Sequence, residues 1–441
     1  MKNFGIWLIR IALVLFVLGL FFGHLASESY RITQPKSGVM GFLSLRPLHV
    51  SSAYLGIITA GLGFLTLIIA KMKTTRFGIF LQYLHFSLWV IALIGIFYSY
   101  FTGDFGGREY WEFNPVWALP IFVSFIVFLV FYLHQVGFSM KWPVYYWMWL
   151  TGIIFFIFTF IENYLWIFPY FRQHFIADMT IQWKVNGSLV GAINQIIYGV
   201  AFYLMEKISG DEKSSYQKLS FAMYFLGMFN LMFNWGHHIY LLPTEKYIHY
   251  IAYAVSMTEW IILIRIFYKW SQQIKENKQF YYFFPYRFLM ASDYWVTINL
   301  TLALFMSIPA INLYTHGTHI TVAHAMGTTI GINTMIILAG VFYFIKPTFN
   351  SAKWRMYGSV TFWIVQVTLL LFLISLIGMG IQRAIWQAGL TSDSFSKMSN
   401  ANGNWVLAFI ILGTILMFSM ASFFIYLLIQ SYKKNKLELE S

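Results

Sequence analysis

The chain has 441 residues, 59% of them hydrophobic, and only 10% are charged, which excludes a soluble globular domain. Its net charge of +13 sits in short loops between apolar runs, which membrane topology explains better than nucleic-acid binding does. Cysteine is absent, which excludes disulfides, thiolate clusters and covalent haem attachment through CxxCH.

About twelve apolar runs of roughly 20 residues or more are each long enough to cross a bilayer. They are expected near 5–26, 47–71, 76–101, 114–136, 142–167, 182–207, 215–242, 246–270, 286–308, 317–345, 356–380 and 403–430. The first has no small-residue cleavage site after it and reads as a span, not a signal peptide. The short connections predict one all-α polytopic membrane domain over 1–441 with no soluble domain. Lys and Arg concentrate in the second, sixth, eighth and tenth loops and in the tail, for example Lys71, Lys213, Lys275, Lys353 and Lys434. The positive-inside rule then places both termini in the cytoplasm.

With that topology, histidines remote in sequence reach a similar depth in the outer part of the membrane. His49 lies near the outer end of the second span. "NWGHHIYLLP" puts His237 and His238 near the outer end of the seventh. In the tenth, "THGTHITVAHAMG" sets His316 at the rim and His324 about 12 Å deeper at 1.5 Å per residue. His319 falls on the His316 side and has no assigned role. Glu259 sits near the middle of the eighth span, where a carboxyl is expensive unless protonated or partnered. A lone buried histidine such as His85 or His134 reads as a helix–helix hydrogen-bond partner. An adjacent pair level with a third histidine reads as a ligand set for iron, copper or zinc. Without cysteine, histidine-bound haem beside a histidine-bound metal is the economical reading.

"GHHIYLLP" and "HGTHITVAHAMG" resemble the metal-site helices of the haem–copper oxidase superfamily, in particular the catalytic subunit of nitric oxide reductase. "LRPLHVSSAY" around His49 is similar to that family's second helix, and "GGREYWEFNP" resembles its outer loop after the third span. The resemblance implies a subunit I-like bundle of twelve helices. It makes His324 the proximal ligand of a high-spin haem b (b3-type) and His49 an axial ligand of a low-spin haem b. His237 and His238 become ligands of a facing non-haem iron, or copper in oxidases. His316 and Arg108 would lie near haem propionates. Glu109 becomes a calcium candidate, Glu112 a member of a proton-entry path, and Glu259 a proton donor near the second metal.

The departures from the family carry information too. The matching sixth helix reads "QWKVNGSLVGAINQ", with Asn186 where the family has a histidine ligand, Val190 at a glutamate position, and Asn194 at a further one. An amide oxygen is a weak, neutral ligand for iron. Oxidases carry a histidine and, four residues on, a tyrosine on this helix; neither stands here, which argues against ordinary oxygen reduction. In the tenth span the family's second histidine is replaced by Met326, whose thioether is a candidate low-spin haem ligand.

Two function classes follow. One is a nitric oxide reductase-like enzyme in the bacterial cytoplasmic membrane, its active site towards the outer face. Electrons would come from a membrane-anchored cytochrome c-type subunit, with NO dismutation or O₂ reduction as alternative chemistries. The other is a non-catalytic haem-binding membrane protein. Metal and haem content discriminates them.

Overall fold

The computed structural model describes residues 2–31, 38, 41–70, 72, 73, 75–256, 260–347 and 352–440. Glu259 lies outside the described residues. The apolar runs form helices because a helix satisfies its own backbone hydrogen bonds where lipid offers none. In chain order these are α1 (Lys2–Glu28), α2 (Phe42–Ile69), α3 (Arg76–Thr102), α4 (Ala118–Val136), α5 (Val144–Asn163) and α6 (Phe175–Ser209). Next come α7 (Lys218–Phe233), α8 (Lys246–Ser256), α9 (Trp260–Gln273), α10 (Phe283–Ser307) and α11 (His319–Met326). The chain continues from α11 through a π-helical turn, Gly327–Thr334, into α12 (Met335–Ile345). It closes with α13 (Ala352–Gln387) and α14 (Gly403–Glu440).

Among the described residues, ten helices are long and apolar enough to cross a membrane, with α11, the π turn and α12 counted as one. The seventh and eighth expected spans are shorter pieces. The seventh leaves the α-helix at Phe233 and tightens into a 3₁₀ segment, Asn234–Ile239, which carries both histidines. Gly236 lets that segment lie against α8, since a Cβ there would be 2.8 Å from Ala252 Cβ. The tenth span also starts later than the sequence pattern suggests. His316 ends a separate short helix, Pro309–Thr315, in extended conformation. Gly317 then turns the chain at φ +72°, and Thr318 caps α11 through Ile320 N–H.

One connection forms a β-hairpin. Phe105–Arg108 pairs antiparallel with Trp111–Phe113 across a turn in which Tyr110 has φ 72°. This hairpin sits between α3 and α4, where residues 105–113 were read as a plain loop. The rest of the molecule is a single packed bundle. Its closest helix pair is α1 on α2, where Gly5 and Gly63 let the backbones touch: a Cβ at either would lie within 3.1 Å of the other's carbonyl oxygen. Small residues at such a crossing are how membrane helices gain packing energy without a hydrophobic drive.

Candidate metal and haem site

Helices α6, α10 and α11, with the 3₁₀ segment after α7 and the π turn, enclose a cavity of about 320 Å³. His237, His238, His316, His324, Asn186 and Val190 all line it. Of the histidines predicted to share a depth, these four share a space, and His49 lies outside it. His237 and His238 have ring centroids 4.1 Å apart, and His238 interacts electrostatically with His237, His316 and His324. A Cβ on Gly187 would be 3.0 Å from the His238 ring, so α6 runs directly past the pair with Asn186 beside it. The backbone carbonyl of His237 is within reach of Asn312 Nδ2 at 3.4 Å.

Asn186 is 7% exposed, and neither its Oδ1 nor its Nδ2 has a hydrogen-bond partner. An unmet buried amide costs roughly 1–3 kcal/mol, so the side chain fits a group that would occupy the cavity. The Nδ1 of His324 is buried without a partner as well. Among the described residues no three His, Asp or Glu side chains are grouped to hold a metal. The donor set is two imidazoles and an amide, a neutral set that suits a late first-row metal weakly held. Val190, one turn deeper on α6, adds no ligand. Tyr198 also lines the cavity and went unremarked in the sequence; it lies about 18 Å along α6 from Asn186, far from the oxidase tyrosine's place at residue 190.

His49 is set by α1. Its Nδ1 lies 2.7 Å from the Gly19 carbonyl, and Gly23 leaves room for the ring, since a Cβ there would be 2.5 Å from Nδ1. With Nδ1–H donating to that carbonyl, Nε2 is the nitrogen that could take a ligating role. Met326 is half-buried against the apolar core. His319 departs from expectation. It packs near Tyr30, ring centroids 6.0 Å apart, whereas His316 faces Trp183 at 5.3 Å. The turn at Gly317 separates the two, so helical spacing does not apply between them. His85 is a helix–helix partner as read, with its Nδ1 2.8 Å from Ser124 Oγ on α4. His134 likewise bonds Thr75 Oγ1 at 2.7 Å.

The hairpin carries charge that is already paired. Arg46, three residues before His49, holds Glu109 at 2.5 Å and Glu112 at 2.9 Å. A guanidinium, not a shell of oxygens, therefore faces Glu109. Calcium takes six to eight oxygen ligands, so the residues present do not fit it. Burial pushes the Glu112 carboxyl above the ordinary carboxylate range, and Arg46 opposes that. Arg108 donates to Asp178 at 2.6 Å and lies over Trp166; the other N–H groups of its fork remain for a further anion. At the cavity mouth Lys184 pairs with Glu162 at 2.5 Å and sits over Trp235 at 5.7 Å.

Comparison with known proteins covers nearly the whole chain. The profile of the family "Cytochrome C and Quinol oxidase polypeptide I" matches residues 3–415. A curated relative, cytochrome c oxidase subunit 1 of Rhodobacter capsulatus, is 24% identical over 400 residues, covering 85% of this chain and 71% of the relative. A haem–copper terminal oxidase dimer solved by cryo-EM superposes with a TM-score of 0.71 over 98% of this chain and 84% of its own, at 12% identity. The last likeness is one of fold.

Proposed function

The chain belongs to the cytochrome c and quinol oxidase polypeptide I family of the haem–copper oxidase superfamily, integral membrane oxidoreductases of respiratory chains, and on that premise we propose that it is a nitric oxide reductase-like enzyme. Two NO, two electrons and two protons would give one N₂O and one water. The observation that carries this reading is the α6 wall: Asn186 unpartnered beside His238, and Val190 where an oxidase places its tyrosine.

In this reading His324 holds a high-spin haem b, and His49 with Met326 holds a low-spin haem b. His237, His238 and Asn186 hold a non-haem iron, or copper. When bound, these groups supply electrons and Lewis-acid stabilisation as the N–O bond breaks. The chain's own contribution is placement. Gly19 fixes the His49 tautomer through its carbonyl. Trp183 braces the His316 ring, which with Arg108 would face the propionates. Ile332, Leu300 and Leu304 make the cavity wall apolar, so a small gas partitions in and bulk water does not. Glu259 is the proposed proton donor near the metal, and Glu112 a member of the outer entry path.

Because the chain has no cysteine, electrons would come from a membrane-anchored cytochrome c-type subunit. The active site would face the outer side of a bacterial cytoplasmic membrane. Oxygen reduction is the second reading, favoured by the oxidase named above as a relative. A reduced-minus-oxidised spectrum with CO, followed by headspace analysis under NO and under O₂, separates the cases. N₂O formation supports the proposal, O₂ uptake without it supports the second reading, and dismutation would release N₂ and O₂. Absence of any CO-reactive haem contradicts both and returns the chain to the non-catalytic class.

A further inference from the structure

At the end of the bundle that the positive-inside rule turns to the cytoplasm, α10 and α13 begin side by side. Segments 275–290 and 346–360 hold six Lys or Arg against one acid, Glu276. Arg287 is the fifth residue of α10 and Arg355 the fourth of α13, so both stand within the first turn and a half of their helices. The two helices run parallel from there. A Cβ on Gly358 would be 2.5 Å from Phe284 Cζ, Arg287 Nη1 donates to Ser359 Oγ at 3.2 Å, and Trp295 Nε1 donates to Gln366 Oε1 at 2.6 Å.

The two guanidinium groups converge on one ring. Arg287 Cζ lies 4.2 Å and Arg355 Cζ 4.0 Å from the Phe283 centroid, and the two are hence no more than 8.2 Å apart. They act on each other as like charges, and among the described residues no carboxylate pairs with either. Arg355 gives one bond to the Phe280 carbonyl at 3.3 Å; a guanidinium has five N–H donors, so each fork keeps several for an anion. Below the pair an apolar furrow descends the seam between the helices. Tyr294 and Ile298 follow Arg287 at seven and eleven residues, within about 20° of it on α10, and both are exposed. Trp363 and Val367, also exposed, flank the same side of the seam on α13 at 100° per residue.

We infer that the α10–α13 seam is a binding site for an anionic phospholipid, its phosphate clasped between Arg287 and Arg355 and an acyl chain lying in the furrow. The site stands apart from the cavity and does not depend on the reaction proposed for it. Two like charges held over one ring are stabilised by an anion between them, and charge-assisted bonds of about 2.8 Å from each fork let one phosphate bridge the gap. Basic pockets between transmembrane helices on this side of a membrane take such headgroups. A zwitterionic lipid brings an ammonium that the same pair repels. A free phosphate ion leaves the furrow unused.

The test titrates the delipidated complex in detergent with phosphatidylglycerol, phosphatidylcholine or inorganic phosphate. It reads the thermal midpoint and, by mass spectrometry after gel filtration, the phospholipid retained. Phosphatidylglycerol should raise the native midpoint and stay bound, with neither effect from the other two at equal concentration. A water-soluble short-chain phosphatidylglycerol should bind more weakly than the long-chain lipid. Affinity for phosphatidylglycerol should fall roughly fivefold for each arginine removed in Arg287→Gln, Arg355→Gln and the double variant. Lys433→Gln, which removes an exposed cation near the end of α14, should leave it native. Phosphatidylcholine as effective as phosphatidylglycerol, inorganic phosphate reproducing the effect, or undiminished affinity in the folded double variant would each overturn the proposal. If the double variant does not fold, the native titrations alone decide.

Discussion

The outer hairpin and the cavity beneath it handle polar groups in opposite ways. Around the hairpin four acidic side chains meet a cation: Glu109 and Glu112 meet Arg46, Asp178 meets Arg108 and Glu162 meets Lys184. In the cavity the polar atoms of Asn186, Asn333 and His324 are buried with no partner on at least one side. A region whose charges are paired orders the rim of the site. A region that leaves amides and an imidazole unmet is shaped around something else. Ion pairing marks the rim, whereas among the described residues the cavity lining carries no Asp, Glu, Lys or Arg.

The contrast breaks most completely at His324. His324→Ala should abolish CO binding to the high-spin haem while the chain still inserts, as read from the CO difference spectrum; unchanged CO binding would refute the assignment. The outer region should respond in stability instead. Arg46→Ala strands two part-buried carboxylates and should lower stability by about 1–2 kcal/mol, seen as a lower midpoint in thermal melting of the detergent-solubilised complex. The sign with pH follows from Glu112. Its raised value makes the folded state take up a proton more readily than the unfolded, so its contribution improves on acidification through the folded value and worsens as pH rises. The Arg46→Ala penalty should therefore shrink as pH falls towards the carboxylate range, and a penalty independent of pH would argue against strain at Glu112.

A smaller effect sharpens the comparison from the other side. Asn186→His with Val190→Glu supplies the family's ligands on one helical face, since residues four apart align. Metal per haem should rise modestly, because a charged ligand replaces none. No rise in a folded double variant would mean that α6 does not present these positions to the histidine pair.

Much of this was legible in the sequence because burial in lipid imposes a simple pattern. Ten of the twelve expected spans appear as long apolar helices, and the convergence of His237, His238 and His324 followed from depth alone. What failed were positions where glycine or a tight turn overrides helical spacing. Gly317 takes His316 off the tenth helix and sends His319 to the opposite side. Gly327 and Gly331 let α10 press in along the π turn, which no periodicity announces. Arg46 was overlooked because an arginine at a helix entrance is ordinary until its partners, more than sixty residues away, are seen.

The central claim is that His237 and His238, with Asn186, hold a metal facing a haem on His324. The most direct measurement is elemental analysis with haem quantitation on the purified complex, native against His237→Ala and His238→Ala. The account predicts non-haem iron or copper in the native protein and its loss in either variant, with the haem content of this subunit intact. Non-haem metal unchanged in both variants would contradict it and make the histidine pair structural.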